Sequence, residues 1–172
     1  RPIKLFFEDE ARFGRINQLQ SCWVPKNHTP RAKKQMIREY LYAYSSVCPE
    51  TGKLFSLIMP ACNNEAMGIF IHELSGKIKN YRMIMFSDNA GWHTSKNLKI
   101  PENLTLWNIP QYAPELNPVE LIWRELRKEY FNNEIFESLD QVEERLELAL
   151  KNYSCDNLKL KNLTNFNWIT NY

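Results

Sequence analysis

IKLFFEDE, from Ile3 to Glu10, is a short apolar run that ends in three acids. Ile3, Leu5, Phe6 and Phe7 combine β-branched and aromatic side chains, the composition of a buried strand. The pattern recurs in RMIMFSDNA, Arg82 to Ala90, where an apolar run finishes at Asp88. A strand that ends in a carboxylate aims it from the rim of a sheet, and in open α/β sheets that rim is where ligands bind.

After the first strand, Gly14 and NQLQS predict a turn, and PKNHTPRAKK (25–34) has the composition of an exposed loop. REYLYAYSSV alternates as a strand, PETGK turns around Gly52, and LFSLIMP returns as its hairpin partner. Met67, Ile69, Phe70, Ile71 and Leu74 predict a helix between Asn63 and Lys79, with Asn63 or Asn64 as cap. LTLWNIP predicts a fifth strand, after a short helix near Thr94 to Lys99. From Pro118 to Phe131 an apolar stripe of Val119, Ile122, Trp123, Leu126 and Tyr130 marks a helix, and Leu139 to Leu150 marks another. The order predicts an α/β fold: a mixed sheet, three antiparallel strands then parallel strands, flanked by helices. Residues 1–172 form one domain on this reading, with 152–172 an Asn-rich tail that docks on it or binds a partner.

At 172 residues, 44% hydrophobic and 24% charged, the chain is far from the composition of a disordered segment. It contains no run of about 18 apolar residues and no signal peptide, so an intracellular protein is expected, in the cytoplasm or nucleoid if bacterial. Cys22, Cys48, Cys62 and Cys155 form no CxxC pair, which argues for reduced thiols. The net charge of +2 hides an asymmetry. Arg12, Arg15, Lys26, Arg31, Lys33, Lys34 and Arg38 occur with no acid among them, whereas Glu134, Glu137, Asp140, Glu143, Glu144 and Glu147 face only Arg145. The basic segment suits a polyanion such as DNA; solvated surface is the alternative.

In YAPELNPVELIW, Tyr112 to Trp123, Asn117 stands as N-cap, Pro118 at the first helical position and Glu120 at capping-box spacing. Glu120 is also a third acid at an element boundary, beside Asp9 and Asp88. At about 4 Å two like charges cost on the order of 4 kcal/mol at an effective dielectric near 20, so such a trio calls for divalent cations. Magnesium, or manganese, fits an all-oxygen set, and two ions would clamp the attacking and leaving oxygens of a phosphodiester.

FEDEARFGR (Phe7 to Arg15), FSDNAGWHTS (Phe86 to Ser95) and YAPELNPVELIW resemble, in order, the motifs of DDE transposases of the mariner superfamily and related bacterial insertion-sequence enzymes. The resemblance implies an RNase H-like catalytic domain that hydrolyses phosphodiesters at transposon ends and joins the freed 3′-hydroxyl to target DNA. It implies Asp9, Asp88 and Glu120 as a metal-binding catalytic triad, and a homodimer on DNA. Relatives read their ends through an N-terminal helix-turn-helix region; this chain opens at Arg1, just before the first strand, so that region is expected to be absent from it. The 32 positions from Asp88 to Glu120 place it nearer the bacterial branch.

Around the triad, Glu10 is expected to give support, with Arg12 or Arg15 as partner. Asn89 and His93 complete a DNAxxH pattern, His93 as a phosphate-orienting or proton-shuttling group or a hydrogen-bonded structural residue. Trp92 either stacks on a base or covers the core, and Trp123 packs in the core. Arg124 and Arg127 share the Glu120 helix face and reach phosphates or form surface ion pairs. Arg12, Arg15, Lys26, Arg31, Lys33 and Lys34 are read as DNA-backbone contacts, with a dimer contact as a competing use of the loop. Another RNase H-like nuclease, a non-cutting DNA-binding or assembly protein derived from a transposase, and an α/β domain whose acids merely cap helices are the rival readings.

Overall fold

Residues 1–29, 31–88, 98–110 and 113–170 are described in the computed structural model of the chain. Strands β1 (Ile3–Ile16), β2 (Met36–Cys48), β3 (Lys53–Met59), β4 (Arg82–Ser87) and β5 (Leu104–Asn108) form one sheet in the order β3-β2-β1-β4-β5. β2 pairs antiparallel with β1 and β3, while β1–β4 and β4–β5 are parallel. Helix α1 (Asn64–Lys77) covers one face; α2 (Val119–Tyr130), α3 (Leu139–Cys155), α4 (Asn157–Thr164) and α5 (Asn167–Thr170) belong to the other. The sheet is mixed and flanked by helices, as the element order predicted, and the arrangement is the RNase H-like one that the resemblance implied.

Strand alternation separates two cores. Phe7, Ala11 and Phe13 of β1 meet Val119, Ile122, Trp123 and Leu126 of α2 and Val142, Leu146 and Leu150 of α3. Phe6 faces the other way, with Tyr44 of β2 and Met67, Phe70, Ile71 and Leu74 of α1. The Asn63 side chain caps α1 by accepting from Ala66 N at 2.9 Å. Gly52 turns β2 into β3 at φ +69°, where a side chain would also collide with the Asn157 carbonyl at the start of α4.

The predicted turn at Gly14 is not formed: β1 runs on to Ile16, paired with β2 throughout, and its register shifts between Gly14 and Ile16. Gly14 serves close approach at this bulge, because a Cβ there would run into the Glu39 carbonyl and the Tyr40 ring. Asp9 therefore lies inside a 14-residue strand instead of at its end. The expected helix at Thr94 to Lys99 lies mostly outside the described residues; Leu98 and Lys99 are irregular. The tail docks: α3 extends past Leu150 to Cys155, and Leu160, Thr164 and Ile169 beyond it are buried. Irregular apolar spacing there reflects two short helices that each bury few residues. Among the described residues no helix is long and apolar enough to cross a membrane.

Leu146 is fully buried between sheet and α2, whereas Leu148 on the same helix is 50% exposed. In urea unfolding, Leu146→Ala is expected to lose about 2–5 kcal/mol and Leu148→Ala to stay within about 0.5 kcal/mol of the parent.

Candidate functional site

The parallel pairing of β1 with β4 ends at Phe7 and Phe86, while β1 continues beside β2 alone. Carried two residues further, the same register sets Asp9 opposite Asp88, the residue after β4. The end of β4 thus opens a notch in the sheet beside Asp9. Asp9 is half-buried and Asp88 exposed. Glu120 enters from above, in the first turn of α2, exposed on the wall of a cleft of about 780 Å³.

Two side-chain hydrogen bonds fasten α2 to β1 at adjacent residues. Asn117 Nδ2 donates to the Glu8 carbonyl at 2.8 Å, and Trp123 Nε1 donates to Asp9 Oδ2 at 2.9 Å. The capping-box expectation is corrected here. Pro118, not Asn117, occupies the N-cap position, without a side-chain cap bond, and Asn117 Oδ1 accepts from Val119 N at 3.2 Å while its amide reaches the strand. Trp123 does pack in the core, being 1% exposed, but its indole N–H also fixes one oxygen of Asp9. The spacing from Glu120 to Trp123, one helical turn, is the signal that could have revealed this.

Burial, then the charges of Glu120 and Glu10, with Asp88 adding to them, push the Asp9 carboxyl well above the ordinary carboxylate range; the Trp123 hydrogen bond opposes them. The three predicted acids therefore share one electrostatic field. Among the described residues, no group of three or more His, Cys, Asp or Glu is gathered tightly enough to hold a metal ion by itself. An open all-oxygen set whose members repel one another fits a hard divalent cation that completes its coordination with water and substrate oxygens. Asp9 Oδ1, Asp88 and Glu120 are the groups that could hold it.

Glu8 is fully buried, and alternation sends it and Glu10 to the face opposite Asp9. Of the arginines expected beside Glu10, Arg15 bonds Glu39 at 2.8 Å and the Phe136 carbonyl at 3.0 Å, and Arg12 lies over the Tyr40 ring at 4.4 Å. Asn89, His93 and Trp92 lie outside the described residues. Arg127 covers the Phe13 ring at 5.0 Å and donates to the Arg12 carbonyl at 3.4 Å. Burial lowers its pKa, and the nearby Glu120 and Asp9 raise it. Arg124 is exposed and pairs with Glu125 at 3.5 Å. Both arginines line the cleft with Glu120, as do Lys128, Gln18 and Phe166, which sequence reasoning missed. Lys26, Arg31, Lys33 and Lys34 are exposed between β1 and β2 and are not among the residues lining that cleft.

A sequence model of the family described as DDE superfamily endonuclease matches residues 4–143. An uncharacterised Sinorhizobium fredii protein, y4pE/y4sA, is 36% identical over 104 residues, covering 60% of this chain and 77% of that protein. Among solved structures, the Mos1 mariner paired-end complex with Mn superposes with a TM-score of 0.66 at 15% identity over 94% of this chain and 54% of that one. The Mos1 transposase paired-end complex with left transposon end gives 0.64 at 16% identity, over 92% and 52%. The chain spans about half the length of these Mos1 chains, and at such identity the likeness is one of fold.

The raised Asp9 pKa makes a prediction about stability. Its folded value exceeds the unfolded one, about 3.9, so its contribution is fully present below that pH and is lost as pH rises toward the folded value. Asp9→Asn keeps an acceptor for Trp123 and removes the charge. In chelator, circular dichroism melting should find the variant level with the parent near pH 4 and higher-melting at pH 8; a parent that melts higher at pH 8 contradicts the field described.

Proposed function

Because the chain belongs to the DDE superfamily endonucleases, we propose that it is a transposase catalytic domain that cuts DNA phosphodiesters at transposon ends and transfers the freed strand to target DNA. The observation that carries the reading is the meeting of Asp9, Asp88 and Glu120, from three elements, in one field where the β1–β4 pairing stops. Magnesium or manganese, held by these acids, would supply Lewis-acid stabilisation of the phosphoryl oxygens and an activated nucleophile. Mos1 paired-end complexes solved with Mn and with Mg support that choice of ion.

The chain's own residues divide the remaining work. Trp123 holds Asp9 Oδ2, which leaves Oδ1 as the oxygen that would meet the ion. Asn117 sets the height of α2, hence of Glu120, above β1. Arg127, propped on Phe13 and close to Asp9 and Glu120, places a cation where a scissile phosphate would carry its charge. Arg124 and Lys128 extend that positive wall, and Lys26, Arg31, Lys33 and Lys34 meet backbone phosphates further along. Asn89 and His93 are assigned to support of Asp88 and of the phosphate, and the working assembly is a homodimer on DNA, with end recognition supplied by a helix-turn-helix region outside this catalytic domain.

Nicking of supercoiled DNA in magnesium or manganese tests the reading. Glu120→Gln keeps the size and hydrogen-bonding capacity of the side chain but loses the charge. It should melt like the parent and lose roughly a thousandfold in rate, about 4 kcal/mol; equal nicking by both proteins would sink the role. Removing Lys33 and Lys34 together should lower the slope of log affinity for duplex DNA against log salt by about 2, with no dependence on DNA sequence.

A further inference from the structure

Aromatic rings run past the acids and come to the surface on both sides. Phe7, two residues before Asp9 on the same face of β1, stacks on Phe86, two residues before Asp88, at 5.1 Å and 20°. Phe86 reaches Trp107 of β5, its neighbour across the strands, at 6.5 Å. On the other side Phe7 meets Trp168 of α5 edge-on at 6.0 Å, and Trp168 meets Phe166 at 6.1 Å. Phe166 also lines the cleft that holds Glu120. The row is therefore continuous with the proposed site. Phe7 is 2% exposed, but Trp107 is 61% and Trp168 46% exposed.

A single exposed tryptophan is ordinary surface. These two differ because packed rings, Phe86 beside Trp107 and Phe7 beside Trp168, orient both of them, and because those rings lie two residues before Asp88 and Asp9. We infer that Trp107 and Trp168 form a stacking platform for unpaired bases of a DNA strand whose backbone lies at the carboxylates. Every base offers a π-face to an indole, so the platform is tolerant of sequence, while Arg124, Arg127 and Lys128 along the adjoining wall follow the phosphates. A duplex keeps its bases stacked on one another and gains nothing from these rings. Trp168 stands beyond residue 143, where the family match ends. The C-terminal helices thus contribute a nucleic-acid surface and not only core. The inference rests on the reading of the site as one that acts on DNA.

The test compares a fluorescent single-stranded oligonucleotide with its duplex, in chelator at one fixed salt concentration, for the parent chain, Trp107→Ala, Trp168→Ala and the two Phe variants. Each Ala variant should bind the single strand roughly tenfold more weakly and the duplex unchanged, with Phe restoring most of the loss. Unchanged single-strand binding by Trp107→Ala overturns the proposal, as does a parallel loss on single strand and duplex. Should Trp168→Ala loosen α5, Trp107→Ala decides alone, since that side chain stands mostly in solvent on β5. Without metal the assay is independent of cutting. A chain that never nicks yet shows the tryptophan dependence keeps the platform and loses the catalytic reading; one that nicks but binds single strands regardless of these residues does the reverse.

Discussion

The joint between α2 and β1 governs the geometry of this molecule. Asn117 grips the carbonyl of Glu8 and Trp123 grips the carboxylate of Asp9, so helix and strand are tied at two consecutive residues by bonds of 2.8 and 2.9 Å. Both donors are nearly or fully buried, where a hydrogen bond left unmade costs about 1–3 kcal/mol. Sliding the helix by even one residue would forfeit both bonds and pull Ile122 and Leu126 out of the core they fill. The height of Glu120 above Asp9 is thereby set by packing that has no chemistry of its own.

That rigidity holds like charges together. Asp9 sits in the field of Glu120, Glu10 and Asp88, with burial adding to their effect. Among the described residues, Trp123 supplies the hydrogen bond that opposes that shift. Arg127 approaches the same two acids from α2, but its guanidinium is engaged with Phe13 and the Arg12 carbonyl. Cation and anions are thus neighbours without collapsing into a closed ion pair. On the proposed function, this is the field that a divalent cation and the phosphate it accompanies would meet.

Much of the architecture was legible because it follows periodicity. The alternation of β2, the turn at Gly52, the stripe on α2 and the apolar runs ending at acids each reflect a local rule, and the strand order follows from parallel β1–β4 pairing. What could not be read was non-local. Gly14 looks like a turn residue until Glu39 and Tyr40 are seen pressing on it, so β1 was expected to stop near Glu10, six residues short of Ile16. Asn117 has the sequence position of a cap, yet the strand beneath it takes its amide. Trp123 has the position of a core residue and is one, with a polar edge whose partner lies 114 residues away. Asn117 and Trp123 each have a side chain with two capacities, of which sequence spacing exposes the nearer.

The C-terminal segment carries the same lesson further. Its apolar residues match no long helical period, because α4 and α5 are short and each contributes single anchors, Leu160, Thr164 and Ile169, to a core built mainly by others. An element held by so few anchors places its remaining side chains by where the anchors fall. Burying Ile169 turns its neighbour Trp168 onto Phe7, two residues from Asp9, and brings Phe166 to the cleft of Glu120. A segment that composition marks as a tail therefore ends beside the acids, as a geometric consequence of docking. On the proposed function, the surface offered to a nucleic acid at this site would therefore extend past the strands and helix that bear the carboxylates.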